Sequence, residues 1–202
     1  MLAAALPAYM LGSVNGAIIT SKYLYRKDIR NYGSGNPGLT NFYRVFGKGG
    51  ALLVVAIDVF KTVAPVLFGG WLLGRYFDMT LLGRTATGFF VMMGHCYPLY
   101  YRFEGGKGVM AVGTILFIVD WRIALISWGM FIIMTAVTRY VSLAAILGII
   151  AYPVSQHFLK LGGLWELCAA VACTILLIAR HHANIGRLIR KEESKFSFRR
   201  AR

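Results

Sequence analysis

Long stretches without a single formal charge recur along these 202 residues, and they decide the solvent in which the chain can fold. Residues 1–21 contain no Asp, Glu, Lys or Arg. Further apolar stretches follow at about 51–73 (interrupted by Asp58 and Lys61), 85–101, 109–119, 123–138, 140–159 and 167–179, the last preceded by 161–165. A helix needs about 20 apolar residues to cross a bilayer. Seven such segments use most of the chain and leave room only for short loops.

Composition points the same way. Charged residues make up 15% and apolar or aromatic ones 57%, with a mean hydropathy of +0.61. An ordinary soluble domain carries about 25% charged residues, and a soluble globule of this size cannot hide so much apolar surface. Disorder is excluded on the same grounds. The expectation is one all-α polytopic membrane domain over residues 1–202, with seven transmembrane helices. The N-terminal apolar stretch has no basic residue before Lys22, so it is read as a retained first helix and not a cleaved signal.

Loop charge predicts orientation. With the N-terminus outside, seventeen Lys and Arg fall on the inner side and four on the outer side. The positive-inside rule therefore puts the C-terminus in the cytoplasm. A net charge of +14 often signals nucleic acid, but here the cations sit in short loops and a tail between apolar spans. The expected partner is the lipid bilayer, with no nucleic acid. Past Arg180, Ile185, Leu188 and Ile189 recur at helical spacing, which predicts an interfacial amphipathic helix and a frayed basic tail over 185–202.

The polar residues gather on the predicted inner face. Gly33-Ser34-Gly35-Asn36-Pro37-Gly38, followed by Thr40, Asn41 and Arg44, suits either a nest of N–H groups for an anion or a tight interhelical turn. Glu104-Gly105-Gly106-Lys107-Gly108 sits just before a helical stretch, where flexible donors, one cation and a helix N-terminus favour phosphate. It is not a Walker A loop, because Tyr101 and Gly108 stand where that motif needs Gly and Ser or Thr. A snorkelling interfacial Lys is the plainer alternative. His181, Asn184 and Arg187 lie near one helical face and form a candidate phosphate clamp. Arg139-Tyr140-Val141-Ser142 is a smaller polar group, and Asp58 and Lys61 are spaced to pair within the membrane. No metal-ligand spacing, catalytic triad or CxxC pair emerges, and no cofactor or metal is expected. Transfer chemistry on phosphorylated molecules fits this set. A phosphate carrier is the alternative, although a carrier needs polar groups at the midplane rather than at one face.

Three segments, GSGNPGLTNFYR, GHCYPLYYRFEGGKGV and HHANIGRL, resemble the signature segments of the bacterial PlsY-type acyl-phosphate:glycerol-3-phosphate acyltransferases. The resemblance runs from the first span to Lys195 and includes TRYVSL at 138–143. It implies seven spans in the bacterial cytoplasmic membrane, with the active site at the cytoplasmic face. It also implies acyl transfer from acyl phosphate to the 1-hydroxyl of glycerol 3-phosphate, giving lysophosphatidic acid and phosphate, the first acylation step of phospholipid synthesis. By the same resemblance Ser34, Gly35, Asn36, Thr40 and Asn41 line a phosphate pocket with Gly105, Gly106, Lys107 and Gly108. Arg44, Lys107, His181 and Asn184 hold glycerol 3-phosphate, with Ser142 and Arg139 nearby. Lys107, His181, Asn184 and Ser142 are the catalytic candidates.

Four departures from the family pattern stand out: Asn15 for a common Pro, Leu39 for Ala, Met110-Ala111-Val112 for an Ala-Thr run, and Lys191 for Gly. Glu104 beside the Gly-Gly-Lys loop is expected to weaken phosphate affinity. Direct attack on an activated mixed anhydride needs no acyl-enzyme; Cys96 is the best nucleophile otherwise, and the N–H groups of 105–108 are the oxyanion-hole candidates.

Overall fold

The computed structural model describes residues 2–196, and its regular elements there are helical. In order they are α1 (Leu2–Gly12), α2 (Gly16–Tyr25), α3 (Leu39–Phe46), α4 (Lys48–Phe77), α5 (Thr80–Cys96), α6 (Val109–Val119), α7 (Trp121–Thr138), α8 (Val141–Phe158), α9 (Leu164–Arg180) and α10 (His182–Ile189). Four stretches among the described residues are long and apolar enough to cross a membrane: Leu2–Tyr25, α4, α7 and α8. The pair α9 and α10, bent by 59°, makes a fifth if counted as one span. Helix α5 has 17 residues and α6 has 11.

Local chemistry sets the breaks. The first span is interrupted at Asn15, whose extended backbone starts α2 while its Oδ1 accepts the Ile18 N–H at 2.9 Å. Its Nδ2 donates to the Pro37 carbonyl at 3.1 Å, tying the break to the first glycine-rich loop. A proline at this position would supply neither bond. The stretch expected at 85–101 starts earlier, at Thr80, and stops at Cys96, because Tyr97 precedes Pro98 and leaves the helical region. The tail helix begins at His182 and ends at Ile189. Lys191 then adopts φ +60°, which explains the family's glycine there. The chain turns back over the bundle, and the Phe196 N–H donates to the Arg139 carbonyl at 2.7 Å. The described part of the expected tail is therefore a short helix and a return strap, and residues 197–202 lie outside the described residues.

Helix α5 occupies the middle, packed against α1, α4, α6 and α9. Glycines allow the backbones to approach: a Cβ at Gly12 would strike the Val91 backbone, and one at Gly83 would strike Gly69. Such contacts matter in lipid, where close packing replaces the hydrophobic effect as the force between helices. Val91, Met92, Ile115, Ile123, Tyr152 and Leu177 form the main core. A second cluster of Ile18, Ile29, Phe42 and Val54, with Tyr25 stacked on Phe46, fixes α3 against α2 and α4. Leu52, Phe60, Ile132, Val137 and Ile175 face outward, as a lipid-facing surface requires.

Candidate active site

All three glycine- and asparagine-bearing clusters meet around one cavity of about 250 Å³. Its wall includes the starts of three helices: Gly38, Leu39 and Thr40 of α3, Gly108, Val109 and Met110 of α6, and Val141 and Ser142 of α8. None of the three starts carries a side-chain cap. Uncapped N-termini leave orphan N–H groups and the positive end of the helix dipole, so their convergence makes a site for anions.

Cations complete it. Arg44, Lys107 and Arg187 line the same cavity. Lys107 Nζ donates to Asn184 Oδ1 at 2.6 Å, and Asn184 Nδ2 donates to Glu193 Oε1 at 2.6 Å. The same Oε1 accepts from Ser142 Oγ at 2.7 Å, while Oε2 accepts from Arg187 Nε at 2.7 Å. Arg44 reaches Ser194 Oγ at 3.2 Å. Burial brings the Lys107 ammonium down to about 8, with Glu193 opposing and the arginines at 187, 180 and 44 adding to the shift. Burial also acts on Glu193, but bonds from Ser142, Asn184 and Arg187 outweigh it and hold its carboxyl below the usual range. His181 Nδ1 lies 2.8 Å from the Leu177 carbonyl, which can only accept. Nδ1 therefore carries the proton, and Nε2 keeps its lone pair.

Several expected residues take other roles. Asn41 lines the cavity, yet its Oδ1 accepts the Ser34 N–H and its Nδ2 donates to the Tyr32 carbonyl, so it holds the loop in shape. Gly35, Gly105, Gly106 and Arg139 lie outside the lining. Gly35 (φ +71°) makes the turn, and Arg139 is exposed and anchors the strap through its carbonyl. The carbonyls of Gly105 and Gly106 accept from Arg180 Nη2 at 3.0 Å and Nε at 3.2 Å. The Gly106 N–H is already spent on the His95 carbonyl, and Gly105 lies outside the lining, so the donor set expected over 105–108 narrows to Lys107, Gly108 and the first turn of α6. Glu104 lies outside the cavity lining: it is exposed and faces Arg30 at 3.6 Å. Cys96 is fully buried and does not line the cavity.

The family model for glycerol-3-phosphate acyltransferase matches residues 2–191. The chain belongs to this family. A glycerol-3-phosphate acyltransferase from Ralstonia pickettii (strain 12J) is 37% identical over 191 residues, covering 95% of this chain and 91% of the relative. One from Staphylococcus aureus (strain JH9) is 33% identical over 198 residues, covering 95% of each. The fold is similar to crystal structures of PlsY, an integral membrane glycerol 3-phosphate acyltransferase. Its glycerol 3-phosphate form superposes with a TM-score of 0.86 at 33% identity, covering 97% of this chain and 95% of that one. The lysophosphatidic acid form gives 0.84 at 31%, with the same coverage.

Glu193 and Arg180 escaped notice in the acyltransferase sequence. Glu193 had a weak signal, as an acid five residues past HHANIGRL in a tail otherwise rich in cations. Arg180 had none: it reads as one more inner-face cation until its fork meets two carbonyls and packs over the Tyr97 ring at 5.0 Å.

Proposed function

We propose that this chain transfers a fatty acyl group from acyl phosphate to the 1-hydroxyl of sn-glycerol 3-phosphate, releasing lysophosphatidic acid and inorganic phosphate. The reaction is the first acylation step of phospholipid synthesis. It takes place at the cytoplasmic face of the bacterial inner membrane, in a single domain that crosses seven times with its N-terminus outside. The observation that carries this reading is the cavity itself. Three uncapped helix starts and three cations suit two phosphates. Val109, Trp128 and Phe131 line both this cavity and a narrow apolar groove that continues past Gly113, Leu116, Ile149 and Leu177. A donor with a phosphate head and an alkyl chain fits both parts.

Acyl phosphate is already activated, so the residues supply orientation and charge. Lys107, Arg44 and Arg187 neutralise the phosphates, and the α6 start meets the oxyanion. The glycerol oxygen bonds to the carbonyl carbon as the carbon–oxygen bond to phosphate breaks. The hydroxyl proton passes to a substrate phosphate oxygen, with His181 Nε2 as the protein acceptor. Ser142 and Asn184 orient the acceptor.

The test uses the full chain in detergent with both substrates, following phosphate and lysophosphatidate together. Matched formation of the two supports the proposal. No product from folded protein, with acyl-CoA also inert, sinks it and favours a phosphate carrier. Cys96→Ser is expected to leave turnover within about twofold, since the thiol cannot reach the substrates; loss of turnover in a folded variant would point to an acyl-enzyme. The pH profile provides a separate check. Lys107 binds phosphate as the ammonium, so its contribution is complete well below pH 8 and falls as pH rises through about 8. An alkaline limb in kcat/KM near that value is expected, because this parameter reports ionisations of the free enzyme. Lys107→Arg should move the limb out of range, and a limb that stays put would belong to another group.

A further inference from the structure

Beneath the Gly-Gly-Lys loop, three polar side chains from two helices form a buried group that the reaction described so far does not use. Lys61 Nζ lies 2.8 Å from Asp58 Oδ1, 2.9 Å from His95 Nδ1 and within hydrogen-bond reach of the Val14 carbonyl. Asp58 Oδ1 also accepts the Gly16 N–H at 3.2 Å, and all three side chains are at least 96% buried. An ammonium has three protons and no lone pair, and here it has three acceptors. His95 Nδ1 must therefore accept, which leaves the proton on Nε2. Nε2 makes no hydrogen bond among the described residues, yet it is not one of the sealed, partnerless atoms. His95 lines the cavity. A Cβ at Gly106 would run into Nε2, so only a glycine lets the loop lie against this edge of the ring without displacing it.

We infer that His95 is a catalytic hydrogen-bond donor, its Nε2–H directed at an anionic oxygen of the substrates, and that the Lys61–Asp58 pair is the positioning device that fixes its tautomer. The inference rests on the acyl-transfer reading above. The two cavity histidines are then complementary: His181 presents a lone pair at Nε2 and His95 a proton. A neutral donor suits this depth, because it stabilises developing charge without adding another buried cation to the ammonium beside it. The oxygen belongs either to the oxyanion formed on attack or to a phosphate. The first source lowers kcat when the donor is removed, and the second raises KM for the substrate concerned.

The test has a kinetic and a spectroscopic arm. His95→Phe removes the donor and should lower kcat/KM about 100-fold. His95→Gln places an amide N–H near the lost Nε2 and should recover at least about tenfold of that loss. Full activity in His95→Phe, or no recovery in folded His95→Gln, overturns the inference. In the wild-type chain labelled with 15N-histidine, the resonances missing from the His95→Gln spectrum should show a protonated Nε2 and a bare Nδ1. The opposite pattern also overturns it. Asp58→Asn/Lys61→Met removes the pair without stranding a buried charge, and it should mix the His95 tautomers and lower kcat/KM together. An unchanged tautomer in that variant removes the pair from the role. If the wild type transfers no acyl group at all, the acyl-transfer reading fails first, and the labelled spectrum still reports the tautomer independently.

Discussion

Replacing Lys107 by methionine is expected to lower kcat/KM for acyl transfer about a thousandfold, roughly 4 kcal/mol of transition-state stabilisation. The ammonium sits where the α6 start, Asn184 and the arginines face the same space. A charge-assisted contact to phosphate in this partly desolvated site is worth more than one in water. Stability should hardly move. The side chain makes one hydrogen bond, and its charge is opposed by burial and by Arg187, Arg180 and Arg44. A melting temperature within about 2 °C of wild type, alongside the lost turnover, marks a residue that serves chemistry at the expense of stability. Turnover within tenfold of wild type would remove Lys107 from the site.

Glu193→Ala is expected to act in the opposite way, through the fold. Its carboxylate is the shared acceptor for Ser142, Asn184 and Arg187, and its side chain is 7% exposed. Removing it strands three donors and releases the strap that brings Glu193 and Ser194 to the cavity wall. The cost is about 3 kcal/mol, the low end for a broken buried pair because Arg187 is partly exposed. That corresponds to a fall in melting temperature of about 10 °C. Activity should fall with it, since Asn184, Ser142 and Arg187 lose their common anchor. The sign with pH follows from the lowered carboxyl value. Its stabilisation is present at neutral pH and is lost as pH falls through that lowered value. The gap in melting temperature between wild type and Glu193→Gln should therefore narrow on acidification. A constant gap would mean that the carboxylate's charge does not matter to the fold.

What the sequence shows and what the structure adds divide along a physical line. Apolar stretches, loop charges and the helix at 109–119 could be read directly, because each depends on residues adjacent in the chain and on the cost of leaving a peptide group or a charge in hydrocarbon. The signature segments were legible for a similar reason, since glycine turns and clustered polar donors are local chemistry. The helix ends were less so: Cys96 closes α5 only because Tyr97 yields to Pro98. What no local pattern carries is convergence. Asn41 looks like a ligand until its amide meets Tyr32 and Ser34, and Gly106 looks like a donor until its N–H meets His95.

By itself, then, the sequence determined that the chain folds in lipid, where its apolar stretches lie, and which three segments carry the family resemblance. Only the tertiary structure decided that the starts of α3, α6 and α8 share one cavity. It also decided that Glu193 returns to bind residues from two other helices, and that Lys61 meets His95 across 34 positions. The reason is that hydrogen bonds and dipoles act over a few ångströms in space, and distance along the chain does not fix distance in space until the helices have packed.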